Sequence, residues 1–224
     1  MNMSAPDRIE TRDPLAAYMV GAYTGSDNRP VPLADTRYEV KITQGLARVK
    51  TWRLFRNAED QSIEVTITFP VPVNATLFHL AARIGDRKLL AKAQRRAEAR
   101  ETYEEAIAEG KSAVLHEEVL KGVHTLSVAH VPPGAEIEIE TVWAQPLTVI
   151  GERGTLRIPL TVGDIYGRSP LMPADDLVSG GVQQTGRLRV DTGLEPVWLH
   201  GKRLSETEVT IPLNRPIDLS VPLW

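Results

Sequence analysis

His116, His124 and His130 fall within 15 residues of one another, and neutral imidazole is a common metal ligand, so metal binding is the first chemistry to weigh. The spacing works against it. His116-Glu117-Glu118-Val119-Leu120 lacks the second histidine of a zinc-protease helix, and a turn at Leu120-Lys121-Gly122 would set Glu118 opposite His124 as an ordinary cross-strand pair. Gly110-Lys111-Ser112 ends like a phosphate-binding loop, but Glu105 stands where that loop needs glycine, and the glycine follows a predicted helix instead of preceding it. No G-x-S-x-G exposes a serine nucleophile. Cysteine is absent, which removes thiol chemistry, disulfides and every cysteine-held zinc or iron–sulfur site. Glu136, Glu138 and Glu140 could pair for glycoside cleavage, yet they alternate with Ile137 and Ile139 and read as the wet face of a strand. With aromatic residues at 5%, no sugar-stacking platform stands out. The sequence therefore predicts no catalytic, metal or cofactor site.

Recognition chemistry is better represented. Lys and Arg number 26 against 29 Asp and Glu, a net charge of −3, so nothing draws the whole chain toward nucleic acid or an anionic membrane. The charge is uneven locally: Arg83, Arg87, Lys88, Lys92, Arg95 and Arg96 are followed by Glu98, Glu101, Glu104, Glu105 and Glu109. A basic lobe beside an acidic one suits a protein partner of complementary polarity, and Arg87, Lys88, Lys92, Arg95, Arg96, Glu98, Glu101 and Glu105 are the candidate partner surface. No apolar run is long enough to span a bilayer, and the start, MNMSAPDRIETRDP, has no secretory pattern; with Met1 as the native start, a cytoplasmic location is expected and the sequon at Asn74 carries no meaning.

The elements that must position these residues are mostly strands. Tyr38, Val40 and Ile42 alternate with polar neighbours, as do Ile63, Val65, Ile67 and Phe69, then Ile137 and Ile139, then Leu156, Ile158, Leu160 and Val162, then Val209, Ile211 and Leu213. That is the period of strands with one buried face, as in antiparallel sheets. Turn residues separate them: Gln44-Gly45, Gly85-Asp86, Pro133-Gly134 and Gly151-Glu152-Arg153-Gly154. The chain is therefore expected to be mostly β, an antiparallel β-sandwich with one inserted helix over residues 95–109. In that helix Ala99, Tyr103 and Ala106 share a face, and Gly110 stops it. Arg95 and Arg96 sit at the positive end of its dipole and Glu105 and Glu109 at the negative end, so it needs Tyr103 docked on a sheet to persist. A hairpin through Gly85-Asp86 should feed it. The first 35 residues are expected to form an extended arm with at most one strand, near Tyr18 to Tyr23, and residues 166–186 a loop before the last strands.

The order of landmarks carries a resemblance. Phe55-Arg56-Asn57, Phe69-Pro70-Val71-Pro72 and Arg83-Ile84-Gly85-Asp86-Arg87 are followed by Glu98-Ala99-Arg100, Tyr103-Glu104-Glu105-Ala106-Ile107, Gly110, Val131-Pro132-Pro133-Gly134 and Ala144-Gln145-Pro146-Leu147. From Thr36 to Thr148 this resembles the VIT domain, the vault protein and inter-alpha-trypsin inhibitor heavy chain domain. The resemblance implies a β-sandwich with one helix, a non-catalytic module that commonly precedes a von Willebrand factor A domain. Phe69, Pro70, Ala99, Arg100, Tyr103, Ala106, Gly110, Pro133 and Gly134 would be its scaffold positions. The implied layout is an arm over 1–35, the domain over 36–165, and a loop with C-terminal strands over 166–224 that complete the same module. His124 and His130 stand where the family pattern suggests an aromatic and an asparagine. The D-x-S-x-S metal site of an A domain is missing from the 224 residues, so such a partner is expected either in a longer polypeptide or in a separate one. The implied function is protein–protein interaction or scaffolding, with a small-ligand or glycan-binding sandwich as the alternative.

Overall fold

The structure, a computed structural model, describes residues 21–24, 30–90, 96–167, 185–193 and 195–222. In chain order these form β1 (Gly21–Thr24), β2 (Pro30–Val31), β3 (Leu33–Thr43), β4 (Leu46–Arg56), β5 (Ile63–Pro70), β6 (Thr76–Ile84) and β7 (Arg87–Leu90), then α1 (Arg96–Ala108). There follow β8 (Val114–Leu120), β9 (Val123–Val131), β10 (Glu136–Pro146), β11 (Thr148–Ile150), β12 (Arg153–Ile158), the one-turn α2 (Gly163–Tyr166) and β13 (Thr185–Asp191). The described chain closes with β14 (Trp198–Leu199), β15 (Lys202–Arg203), β16 (Glu208–Pro212) and β17 (Ile217–Pro222).

The strands build three sheets, ordered β2-β1-β5-β9-β8, β16-β13-β3-β4-β10-β6-β7 and β11-β12-β17-β14-β15. Neighbours run antiparallel except β13 beside β3, which are parallel, so the seven-stranded sheet is mixed. The protein is thus mostly β, as its alternation predicts. Tyr38, Val40, Val49, Phe55, Ile137 and Ile139 of the seven-stranded sheet, Val65, Ile67, Leu126 and Val128 of the first sheet, and Leu156, Ile217 and Leu219 of the third share one buried apolar cluster. Arg53 is buried on the inner face, its guanidinium 5.6 Å from the ring centre of Phe69 and 5.9 Å from that of Tyr38, and it donates to Thr51 Oγ1.

The turns follow their residues. Gln44 and Gly45 both take positive φ, 49° and 76°, joining Thr43 to Leu46 in the two-residue loop that matches strand twist. Around Pro133-Gly134, Ala135 N–H donates to Pro132 O at 3.1 Å while Gly134 takes φ 69°, the expected type II geometry. Asn57 explains why it follows Phe55 in the landmark series: wholly buried, its Nδ2 donates to the carbonyls of Gln61, Val131 and Pro132, and its Oδ1 accepts from Glu59 N–H. One amide side chain thereby pins two turns together, satisfying backbone groups that would otherwise be buried unpaired.

The N-terminal stretch holds more strand than expected. Within the described residues β1 pairs with both β2 and β5, and β3 already starts at Leu33. The one strand expected near Tyr18 to Tyr23 overlaps β1, whereas β2, with two residues, is too short to show a period. Most of the proposed arm, and residues 168–184 of the proposed loop, lie outside the described residues. At the C-terminal side, β13 and β16 extend the seven-stranded sheet and β17 pairs with β12.

Candidate functional site

The proposed partner residues divide between two layers. Arg87 and Lys88 lie exposed on β7, the outer edge of the seven-stranded sheet. Glu98, Glu101 and Glu105 are exposed on α1, which is fastened to the five-stranded sheet that contains β5, β9 and β8. Lys92 and Arg95 lie outside the described residues, and of Arg96 only the backbone, the first residue of α1, is described. Among the described residues no ion pair joins the basic positions on β7 to the acidic ones on α1.

The scaffold residues form a connected attachment. Tyr103 is buried and its hydroxyl donates to Glu64 Oε1 at 2.7 Å, while Ala99 and Ala106 on the same helix face are half-buried. Burial first, and then the hydrogen bond and charge of Glu64, push the Tyr103 phenol far above its ordinary value. Arg100 forks onto Glu117 of β8, Nε and Nη2 each 3.1 Å from a carboxylate oxygen. The helix ends by Gly110 N–H bonding to Ile107 O and Lys111 N–H to Ala106 O, with Gly110 at φ 69°, the pairing of a glycine C-cap. Phe69 and Pro70 close β5 against Val123 and His124 of β9.

The histidines separate. His116 Nε2 and His124 Nδ1 are 3.1 Å apart, and their rings continue a stack that begins with Phe69, with centroids 5.5 Å apart from Phe69 to His124 and 5.2 Å from His124 to His116. Glu118 does sit opposite His124 in the strand register. Burial, reinforced by the neighbouring His116, lowers His124 to about 4, and burial lowers His116 as well. The array is a packed, neutral pair at ordinary pH. His130 lies apart, Nε2 against Ile107 O at 3.2 Å and with a left-handed φ of 54°. Among the described residues no cluster of three or more His, Asp or Glu is arranged to hold a metal ion, and no helix is long and apolar enough to cross a membrane.

The most organised solvent-facing chemistry is on the outer face of the seven-stranded sheet. Because β3, β4, β10 and β6 pair in register, every second residue of each strand points outward together. Trp52 has Arg37 on one side and Glu140 on the other as direct cross-strand neighbours. The Arg37 guanidinium lies 5.3 Å and the Lys50 ammonium 4.3 Å from the Trp52 ring centre. Lys50 Nζ also reaches Glu140 Oε1 at 2.9 Å, His79 Nε2 approaches the same oxygen at 3.4 Å, and Lys88 Nζ comes to 3.8 Å of Oε2. Glu138 bridges Arg37 and Arg83 at 3.3 and 3.4 Å. Burial acts to raise the Glu140 carboxyl, but the hydrogen bond and charge of Lys50, with Lys88 and His79 behind it, outweigh it and hold Glu140 below its ordinary value. Glu138 and Glu140 do occupy the outer face as the alternation predicts; what it overlooked is that Arg37, Lys50 and Trp52 share it. The signal was present in Arg48, Lys50 and Trp52 alternating with Ala47, Val49 and Thr51, but Arg53 on the inner side interrupts it.

Comparison with known proteins fits this architecture. Residues 33–142 match the family model described as the vault protein inter-alpha-trypsin domain. Human protein mono-ADP-ribosyltransferase PARP4 is 28% identical over 132 residues, covering 59% of this chain and 8% of that protein. Human von Willebrand factor A domain-containing protein 5A is 24% identical over 218 residues, covering 87% of this chain and 28% of that protein, and its mouse counterpart is 27% identical over 168 residues, covering 68% and 21%. The chain thus spans under a third of the length of each of these relatives. The matched stretch runs from β3 into β10 and takes in the helix attachment, the Asn57 hub and both hairpins that frame the Trp52 face. Over residues 33–142 this chain belongs to the vault protein inter-alpha-trypsin (VIT) domain family.

Proposed function

We propose that this chain is a non-catalytic interaction module that binds another protein domain, and that a von Willebrand factor A domain, in the same polypeptide or a separate one, is its partner. The observation that carries the reading is the outer face of the seven-stranded sheet, where Trp52 is held between Arg37 and Lys50 inside a lattice of ion pairs. Tryptophan and arginine dominate the energetics of protein interfaces, and side chains already fixed by their neighbours lose little entropy on docking. Charges of both signs in register would set the orientation of the partner. Arg87 and Lys88 are the rim of this face in the proposal. The pairing with an A domain is supported by relatives named for that domain.

Titration calorimetry against the A domain of human von Willebrand factor A domain-containing protein 5A tests it. Binding should be saturable, and Trp52→Ala should weaken it by roughly tenfold or more, the range of an interface anchor. Arg87→Glu with Lys88→Glu should weaken it several-fold and flatten its salt dependence, because the screened attraction is gone. No heat at high micromolar concentration would remove this partner; an unchanged Trp52→Ala variant would remove the face.

A further inference from the structure

The geometry points to a second, more specific site on the same sheet: the shallow groove across β13, β3 and β4 receives acidic side chains of a partner protein, with Arg48 and Arg189 as its carboxylate anchors. This rests on the reading of the chain as an interaction module and names the part of the face, and the chemistry, that selects the partner. The groove has a volume of about 450 Å3 and is lined chiefly by Glu39, Lys41, Arg48, Lys50, Arg189 and Asp191.

Strand register fixes the charge pattern. Arg189, Glu39 and Lys50 stand side by side across three strands, and the next outward row is Asp191, Lys41 and Arg48. The first row alternates in sign, the second sets two cations beside one carboxylate, and the four cations outnumber the two carboxylates. Two of the cations are already engaged: Lys50 is 2.9 Å from Glu140, and Lys41 is 3.9 Å from Asp191. Arg48 and Arg189 form no ion pair among the described residues, and both are exposed. The Arg48 guanidinium lies 5.8 Å from the centre of the Phe78 ring, which gives it an apolar backing and limits its wandering. Two free guanidiniums on a rigid sheet offer forked donors that match carboxylates in pairs.

The same pattern selects against a polyphosphate backbone. Strands are about 4.8 Å apart, so an evenly spaced run of phosphates crossing the groove would meet Glu39 or Asp191 as often as a free cation. A peptide can place carboxylates over Arg48 and Arg189 and neutral or basic residues over Glu39 and Asp191. The charge complementarity therefore favours an acidic protein segment of mixed composition.

The test uses the whole chain, isotope-labelled so that arginine side-chain N–H signals are visible by NMR. It is titrated with a synthetic peptide of alternating Glu and Ser, with a Lys-Ser peptide of equal length, and with inorganic phosphate. The Glu-Ser peptide should shift the Arg48 and Arg189 side-chain signals saturably, and the affinity should fall as salt rises. Arg48→Glu and Arg189→Glu should each weaken it at least tenfold, and the neutral Arg48→Gln and Arg189→Gln several-fold, with backbone amide spectra reporting that each variant is folded. Arg157→Gln on the third sheet should leave it unchanged. Absence of saturable shifts, equal response to the Lys-Ser peptide, or tighter saturation by phosphate would each overturn the site. If the A domain of the previous test binds while Arg48→Glu and Arg189→Glu leave that affinity intact, the module reading survives and this groove does not. If the peptide saturates while the A domain is silent, the groove stands and the assigned partner falls.

Discussion

The two large sheets treat their outer faces in opposite ways. The five-stranded sheet that contains β5, β9 and β8 turns outward the small hydroxyl side chains Thr66, Thr68, Thr125 and Ser127, with Glu64 and Glu117 beside them to hold helix α1 through Tyr103 and Arg100. The seven-stranded sheet turns outward Arg37, Lys50, Trp52, Glu138 and Glu140, long side chains that pair laterally with one another. Short side chains let a helix approach a sheet, whereas long paired charges would have to be broken and desolvated to admit one. Among the described residues the first face is covered by a helix and serves the scaffold, whereas the second carries no such cover and is the face proposed to meet a partner.

Removing the helix anchor should break the comparison most visibly. Tyr103→Ala deletes a buried aromatic and its bond to a carboxylate, and stability should drop by about 3–4 kcal/mol in urea unfolding. Hydrogen exchange should then be fast over residues 96–108 while β4 and β10 stay protected. Tyr103→Phe should cost only about 1 kcal/mol and keep the helix in place. Unchanged protection of the helix in Tyr103→Ala would mean that its charges, not its docking, hold it.

The helix was legible because its weakness is written in the sequence: Arg95, Arg96, Glu105 and Glu109 oppose the dipole, so a docked apolar side chain had to hold it, and Tyr103, the largest on its face, is buried. Pro133-Gly134 and Gly85-Asp86 were legible for the same kind of reason, since turn conformation is local chemistry. The sheet order was not. The parallel pairing of β13 with β3 joins residues some 150 positions apart, as does the ion pair between Arg187 and Asp35 at 2.7 Å, and no local pattern encodes such a contact. The Trp52 face escaped for a related reason: its members are drawn from four strands, each unremarkable alone, and only register assembles them. Of the candidate surface read from linear charge order, Arg87 and Lys88 lie on β7 of one sheet and Glu98, Glu101 and Glu105 on the helix fastened to another, while Lys92 and Arg95 lie outside the described residues.

Acid separates the two layers further. His124 is neutral and buried beside His116, with its folded value lowered to about 4 from an unfolded 6.5. A depressed folded value means that the unfolded chain takes up the proton first. The stabilisation is complete above about pH 6.5 and is lost as pH falls toward 4, on the order of 3 kcal/mol for a shift of that size. His116 shifts in the same direction and adds to the loss. Melting temperature should therefore fall between pH 7 and pH 4, with β8 exchanging first. His124→Phe, which keeps the stack on Phe69, should flatten that dependence. A wild-type profile that is already flat would show that the histidine pair is not held neutral.

Glu140 should give the smallest effect, and its size tests whether the outer face is a recognition surface or a structural one. Its folded carboxyl is held below the ordinary value by Lys50, so its stabilisation is present above the unfolded carboxylate range and vanishes as pH falls through the folded value. At neutral pH, Glu140→Gln removes the partner of Lys50 at 2.9 Å but leaves Lys50 over the Trp52 ring and open to water. A pair in contact with solvent contributes about 1 kcal/mol or less, so unfolding should shift by no more than a few degrees. Affinity for a docked partner should change more than stability does, because the lattice orients Lys50 and Trp52 without holding the sheets together. A loss of several kcal/mol, or faster exchange in β4 and β10, would make the lattice part of the core, and the contrast between a covered structural face and an open binding face would collapse.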